Sequence, residues 1–150
     1  MRSMRLKLLV SIVLVAVSAA VAAPGRAAGE AFTISDDVTT ESSSSVCSVT
    51  VTLSPASAGL TSVGYKTESG VGERRAKKAT IREDFQYQEG YLDFAPGVTS
   101  QTINVQIKGD NFNEKPARKE FFNVNLFDPA GGATIADGEG VCTIVEQRNG

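Results

Sequence analysis

The chain has 150 residues, with 15 Lys+Arg against 17 Asp+Glu, no histidine, no tryptophan and two cysteines. The missing histidines exclude Ser-His-Asp and Cys-His catalysis and every His-ligated zinc or iron site. The near-balanced charge gives no global attraction to nucleic acid.

The first 22 residues have three parts in order: a basic start (Arg2, Arg5, Lys7), an apolar run from Leu8 to Val21, and the small residues Ala20 and Ala22. That order predicts a secretory signal peptide over 1–22. The run of 14 residues is shorter than the roughly 20 that a spanning helix needs. Cleavage after Ala22 leaves 128 residues, enough for one domain, with 12 cations against 17 acids. The processed protein is expected to be secreted or periplasmic and not membrane-spanning.

Residues 23–30 read as a linker of small residues, after which period-two alternation dominates and no helix is predicted. Ala31 to Ser35 is the first predicted strand. Cys47 to Ser54 follows, with Ser48, Thr50 and Thr52 outward, then Leu60 to Thr67 and Tyr91 to Phe94. Gln101 to Lys108 places Ile103, Val105 and Ile107 on one face. Phe121 to Phe127 presents Phe122, Val124 and Leu126 inward, and Val141 to Glu146 is last. Turn residues separate the strands at Pro55–Gly59, Gly70–Gly72, Pro96-Gly97, Gly109-Asp110, Pro129–Gly132 and Asp137-Gly138. About seven short strands of this kind predict an all-β, immunoglobulin-like antiparallel sandwich.

Cys47 shares its phase with Val49, Val51 and Leu53, and Cys142 with Ile144, so both are expected to face the core. In an oxidising compartment an even count favours a Cys47–Cys142 disulfide. The alternative is two buried free thiols, which pack as small hydrophobes.

Four segments in order are more specific than the strand count: SDDVTTE (35–41), GYKTESG (64–70), DFQYQEGYLDFAPG (84–97) and GDNFNE (109–114). KEFFNVNL (119–126) and GATIADGEGVCTI (132–144) follow them. Together they resemble the Calx-beta domain, a calcium-associated β-sandwich module, over residues 31–147, with 148–150 as a tail. The resemblance implies calcium at one sandwich end, held by Glu41, Asp110, Glu114, Glu120 and Glu146. It is incomplete: Ser69 and Gly109 stand where family members carry aspartate, and Gln147 and Arg148 replace part of an acidic tail. Fewer fixed charges imply weak binding, on the order of 10⁻⁴–10⁻³ M. Asp84 is expected to fix a loop through backbone hydrogen bonds rather than bind metal.

One segment departs from the family. Between Gly72 and Asp84 stand Arg74, Arg75, Lys77, Lys78 and Arg82, a basic loop that offers contact to an anionic surface polymer or a protein partner; the plainer reading is a solvated loop or short helical turn. The leading expectation is a non-catalytic exported binding, adhesion or scaffold module with weak calcium binding. A metal-free interaction domain is the alternative. A small hydrolase using Asp110 with Glu114 is the third reading, and no nucleophile–base pair or phosphate loop supports it.

Overall fold

Alternating sequence becomes two stacked sheets in the computed structural model, which describes residues 29–70, 77–109 and 119–145. The strands are β1 (Ala31–Ile34), β2 (Asp37–Thr40), β3 (Val46–Ser54), β4 (Thr61–Ser69) and β5 (Lys77–Lys78), then β6 (Glu89–Phe94), β7 (Ser100–Gln106), β8 (Lys119–Ala130), β9 (Thr134–Ile135) and β10 (Glu139–Val145). The first sheet runs β7-β3-β1-β9 and the second β2-β10-β8-β4-β6, with β5 alongside β8. No helix occurs among the described residues, and none there is long and apolar enough to cross a membrane. The signal peptide, most of the linker and the tail lie outside the described residues.

The core forms where the inward phases of both sheets meet. Val49, Val51, Val63, Val105, Val124 and Phe122 are fully buried. Phe85 stacks on Phe122 with ring centroids 4.0 Å apart, and Phe32 meets Phe94 edge-on at 5.2 Å. Cys47 of β3 and Cys142 of β10 are joined by a disulfide, with α-carbons 6.2 Å apart, so a covalent link ties one sheet to the other inside this core.

Three short parallel pairings were not legible as alternation: β1 with β9, β2 with β10 and β5 with β8. The sandwich is therefore antiparallel in its long strands and mixed at its margins. The first of its strands does not stop at Ser35; the chain switches sheets there. β1 pairs with β3 in the first sheet and β2 with β10 in the second. Four hydrogen bonds pin the switch. Ser35 exchanges two with Thr50, its N–H donating to the carbonyl at 2.9 Å and its Oγ accepting the Thr50 N–H at 3.0 Å. Asp36 accepts the Val141 N–H at 2.8 Å and Asp37 the Ser48 N–H at 2.7 Å, one carboxylate to each sheet. Bonds of this charge-assisted kind are roughly twice as strong as neutral ones. Gly140 makes room for the switch, since a Cβ there would stand 2.7 Å from the Ser35 carbonyl oxygen.

β8 also runs further than its alternation suggested, through Pro129 to Ala130, because its register against β4 shifts between Ser62 and Gly64. Such a bulge absorbs an extra residue and bends the strand.

The disulfide spans 95 residues of sequence. In the chain-entropy model a loop of that length contributes about 4–5 kcal/mol. Cys47→Ala with Cys142→Ala is expected to move the denaturant midpoint down strongly with little change in far-UV circular dichroism at zero denaturant. An unchanged midpoint would show that the native sheets need no cross-link.

Candidate functional site

At one end of the sandwich β2 leads into the 41–45 loop, β7 ends beside it, and β8 begins. The loop is held tightly. The Gln106 side-chain amide donates to the Ser43 and Ser45 carbonyls, both at 2.9 Å, and the Ile107 N–H donates to the Ser45 carbonyl at 3.0 Å. The Glu41 N–H donates to the Val145 carbonyl at 2.9 Å, which docks the loop onto the end of β10.

Two of the five expected calcium ligands are described here. Glu41 follows β2 in the inward phase of Thr39 and is half-buried; Glu120 of β8 is buried. Thr39, Ile144 and Glu120 lie side by side across β2, β10 and β8. With strands about 4.8 Å apart and a rise of about 3.3 Å per residue, the α-carbons of Glu41 and Glu120 stand roughly 12 Å apart. They share one sandwich end. Asp110, Glu114 and Glu146 lie outside the described residues, and among the described residues no group of three or more acids, cysteines or histidines is placed to hold a metal.

Gly109 has a structural reason to be glycine. A Cβ there would stand 2.7 Å from the Ser43 nitrogen and 2.9 Å from Ser42 backbone atoms. The end of β7 therefore packs on the 41–45 loop where an aspartate would not fit without moving it. Asp84 is used for architecture: its carboxylate accepts the Thr80 N–H at 2.6 Å, and its carbonyl accepts the Lys108 N–H at 2.8 Å.

The basic segment is more ordered than a solvated loop where it is described. Lys77 and Lys78 form a short strand beside β8, and Ala79 and Phe85 are fully buried. Arg82 is exposed, adopts φ 75°, and its carbonyl accepts the Lys108 ammonium at 2.7 Å. Lys78, Arg82, Lys108 and Lys119 thus expose cations at the same end as Glu41 and Glu120. Arg74 and Arg75 lie outside the described residues.

A second polar constellation, which the sequence reading missed, covers the outer face of the second sheet. Because Phe122, Val124 and Leu126 point inward, Phe121, Asn123, Asn125 and Phe127 take the other side. Phe127 lies over Gly64, where a Cβ would be 2.6 Å from its ring, and Tyr91 meets Phe127 edge-on at 5.8 Å. The next row aligns Glu139, Asn125, Lys66 and Glu89, and the one after it Val141, Asn123 and Glu68. Lys66 bridges Glu68 at 2.5 Å, Glu68 accepts the Asn125 amide at 2.6 Å, and the Tyr87 hydroxyl donates to Glu89. The hydrogen bond from Lys66 lowers the Glu68 pKa, the bond to Glu68 raises that of Lys66, and the bond to Glu89 raises that of Tyr87. Asn123 is 1% exposed, and neither its Oδ1 nor its Nδ2 has a hydrogen-bond partner. The signal for this face was present in the alternation of Tyr87, Glu89, Tyr91 and Asp93 with Gln88, Gly90 and Leu92.

A two-sheet sandwich with a braced, partly acidic loop end defines a class of small β-modules built to present loops from a rigid frame. The Calx-beta domain family model matches residues 29–147, and the chain belongs to that family. Among solved structures it is similar to the apo-form Calx CBD1 domain, with TM-score 0.68, 22% identity, 81% of this chain covered and 100% of that chain. The Calx CBD2 domain gives TM-score 0.63 and 16% identity over 79% of this chain and 87% of that one. The calcium binding domain CBD12 of CALX1.1 gives 0.64 and 22% over 77% of this chain, which spans 44% of that longer chain. These likenesses show the fold. No match was found among curated proteins.

Carboxyl titration by NMR is expected to place the Glu68 midpoint below the ordinary value of 4.5, and Lys66→Ala to raise it. A carboxylate held low stabilises the fold above its unfolded pKa and loses that effect as pH falls through the folded one. The loss is small here because both side chains are about two-fifths exposed. A midpoint unmoved by Lys66→Ala would mean the pair does not form in solution.

Proposed function

We propose that this chain is a non-catalytic, exported binding or scaffold module that takes calcium weakly at its loop end. The observation that carries the reading is the membership of residues 29–147 in the Calx-beta family together with Glu41 and Glu120 at one braced sandwich end. Calcium takes six to eight oxygen ligands, and its affinity rises with the number of fixed carboxylates and the rigidity of the site. The donor chemistry fits in part. Glu41 and Glu120 are hard oxygen donors on a rigid frame; Asp110, which follows Gly109 directly, Glu114 and Glu146 would complete the set. Gly109 in place of an acid, and the exposed Lys78, Lys108 and Lys119 nearby, weaken the field that draws a cation. The apo-form and calcium-binding descriptions of the similar Calx structures support the reading without fixing the affinity.

Export is supported by the basic–apolar–small order of residues 1–22 and by a disulfide, which persists in oxidising compartments. The metal-free alternative draws on the same cations: with Arg74, Arg75, Lys77, Lys78 and Arg82 close in sequence, the loop end would then contact an anionic polymer or a protein. A hydrolase built on Asp110 and Glu114 has no further site feature to support it.

Calcium that binds only the native state stabilises it by RT ln(1 + [L]/Kd). At about 10 mM calcium, roughly ten times a millimolar Kd, the gain is about 1.4 kcal/mol and the melting temperature rises by several degrees. Magnesium is expected to do less, since it demands a tighter octahedral shell. Asp110→Asn with Glu114→Gln is expected to abolish the calcium shift. A wild-type melting curve unmoved by calcium would leave the metal-free scaffold as the function.

A further inference from the structure

We propose that the outer face of the second sheet binds a neutral glycan chain, a role that stands whether or not the loop end takes calcium. Three features of that face converge. The first is apolar and aromatic. Tyr87 is 44% and Tyr91 61% exposed, and they lie on one side of the β6 edge. Four residues of extended chain separate them, about 13 Å. That spacing suits a chain of several sugar units rather than a single one. Aromatic rings stack on flat apolar faces, and the C–H face of a pyranose is such a face. Gly64 leaves room for the Phe127 ring, and Tyr91 meets that ring edge-on, so the two make an apolar aromatic corner beside the polar row.

The second feature is the mixture of polar groups. Lys66 and Asn125 donate, Glu68, Glu89 and Glu139 accept, and Tyr87 does both. A sugar hydroxyl both donates and accepts, so a polyhydroxyl chain can pair with every member of the row in turn. The charge balance narrows the class. Glu68, Glu89, Asp93 and Glu139 outnumber Lys66, so this face repels uronic or sulfated polymers and admits an uncharged one.

The third feature is Asn123, in register between Glu68 and Val141. Its amide offers one acceptor and one kind of donor, both buried and both unpaired. Nearly all buried polar groups in folded proteins have partners, so an amide missing both marks a place where a partner belongs. Its ladder neighbours are Glu68 across the strand pair and Asn125 two residues along β8, whose mutual hydrogen bond is on a half-exposed surface and open to exchange for sugar hydroxyls.

The test uses the three tyrosines of a chain without tryptophan, since two of them lie on this face and Tyr65 packs against the core. Full-length protein is titrated with neutral hexasaccharides of glucose, xylose, mannose and N-acetylglucosamine, with heparin and polylysine alongside, while tyrosine emission is followed. A neutral hexasaccharide is expected to change the emission saturably. Tyr91→Ala and Tyr87→Ala are each expected to weaken binding by about tenfold, and Tyr91→Phe to preserve it. Asn123→Leu is expected to weaken glycan binding while leaving the melting temperature unchanged or higher, a split that a purely structural asparagine would not give. Silence across the neutral panel, a response to polylysine or heparin alone, or full affinity in Tyr91→Ala would each overturn the proposal.

Discussion

The fold depends on one short stretch of chain that belongs to both sheets. Within the four residues from Ile34 to Asp37 the backbone leaves the first sheet and enters the second. Two stacked sheets have no backbone hydrogen bonds between them, so their relative position is set by side-chain packing and by whatever crosses the gap. At the switch the crossing is made by Asp36 and Asp37, which take N–H groups from β10 and β3 respectively, and by the Cys47–Cys142 bridge between those same two strands. On this side of the sandwich, polar and covalent ties therefore act on the same pair of strands. Removing either carboxylate would leave a strand-edge N–H to find another acceptor.

That clamp sets the geometry of the loop end. β2 emerges from the switch with its phase fixed against β10, which decides that Thr39 and Glu41, rather than Val38 and Thr40, face the sandwich interior. Val38 is correspondingly 68% exposed. The 41–45 loop then lies against β7 through the amide of Gln106 and the missing side chain of Gly109. Acid placement and loop packing compete at that point: an acid at position 109 would have to push back the close approach that braces the loop. A stiff loop with fewer charges is the frame that the proposed weak cation binding would use.

At the opposite lateral margin the two sheets are tied to each other again. β6 and β7 are exposed edges of their two sheets. Gln101 donates its side-chain amide to the Asp93 carbonyl and Gln88 donates its own to the Asn104 carbonyl, so each edge strand has one carbonyl capped by a glutamine from the other side. Unprotected edges of this length template aggregation. The proposed glycan contact falls on the broad outer face rather than on these edges.

The long strands were legible because nine-residue alternation such as Val46–Ser54 admits one pleated reading, and the disulfide because two core-phased cysteines in an expected oxidising compartment favour pairing. β2, β5 and β9 were not, since two to four residues carry too little periodicity and their parallel partners are distant in sequence. Glu41 and Glu120 were reachable through the family pattern. Asp36 and Asp37 stood in the same motif, yet their bonds to Val141 and Ser48 depend on a sheet switch that local pattern does not encode. Asn123 and Phe121 were hidden for another reason: β8 is buried on both sides, and an alternation argument assigns only one. On the proposed reading, the clamped switch makes one sandwich end the cation site. Amide NMR of the full chain during a calcium titration tests it most directly. Shifts are predicted at Glu41–Ser45, Lys108 and Gly109, with none at Gly97 or Thr134–Ile135. Shifts confined to those latter residues, or none anywhere, would contradict it.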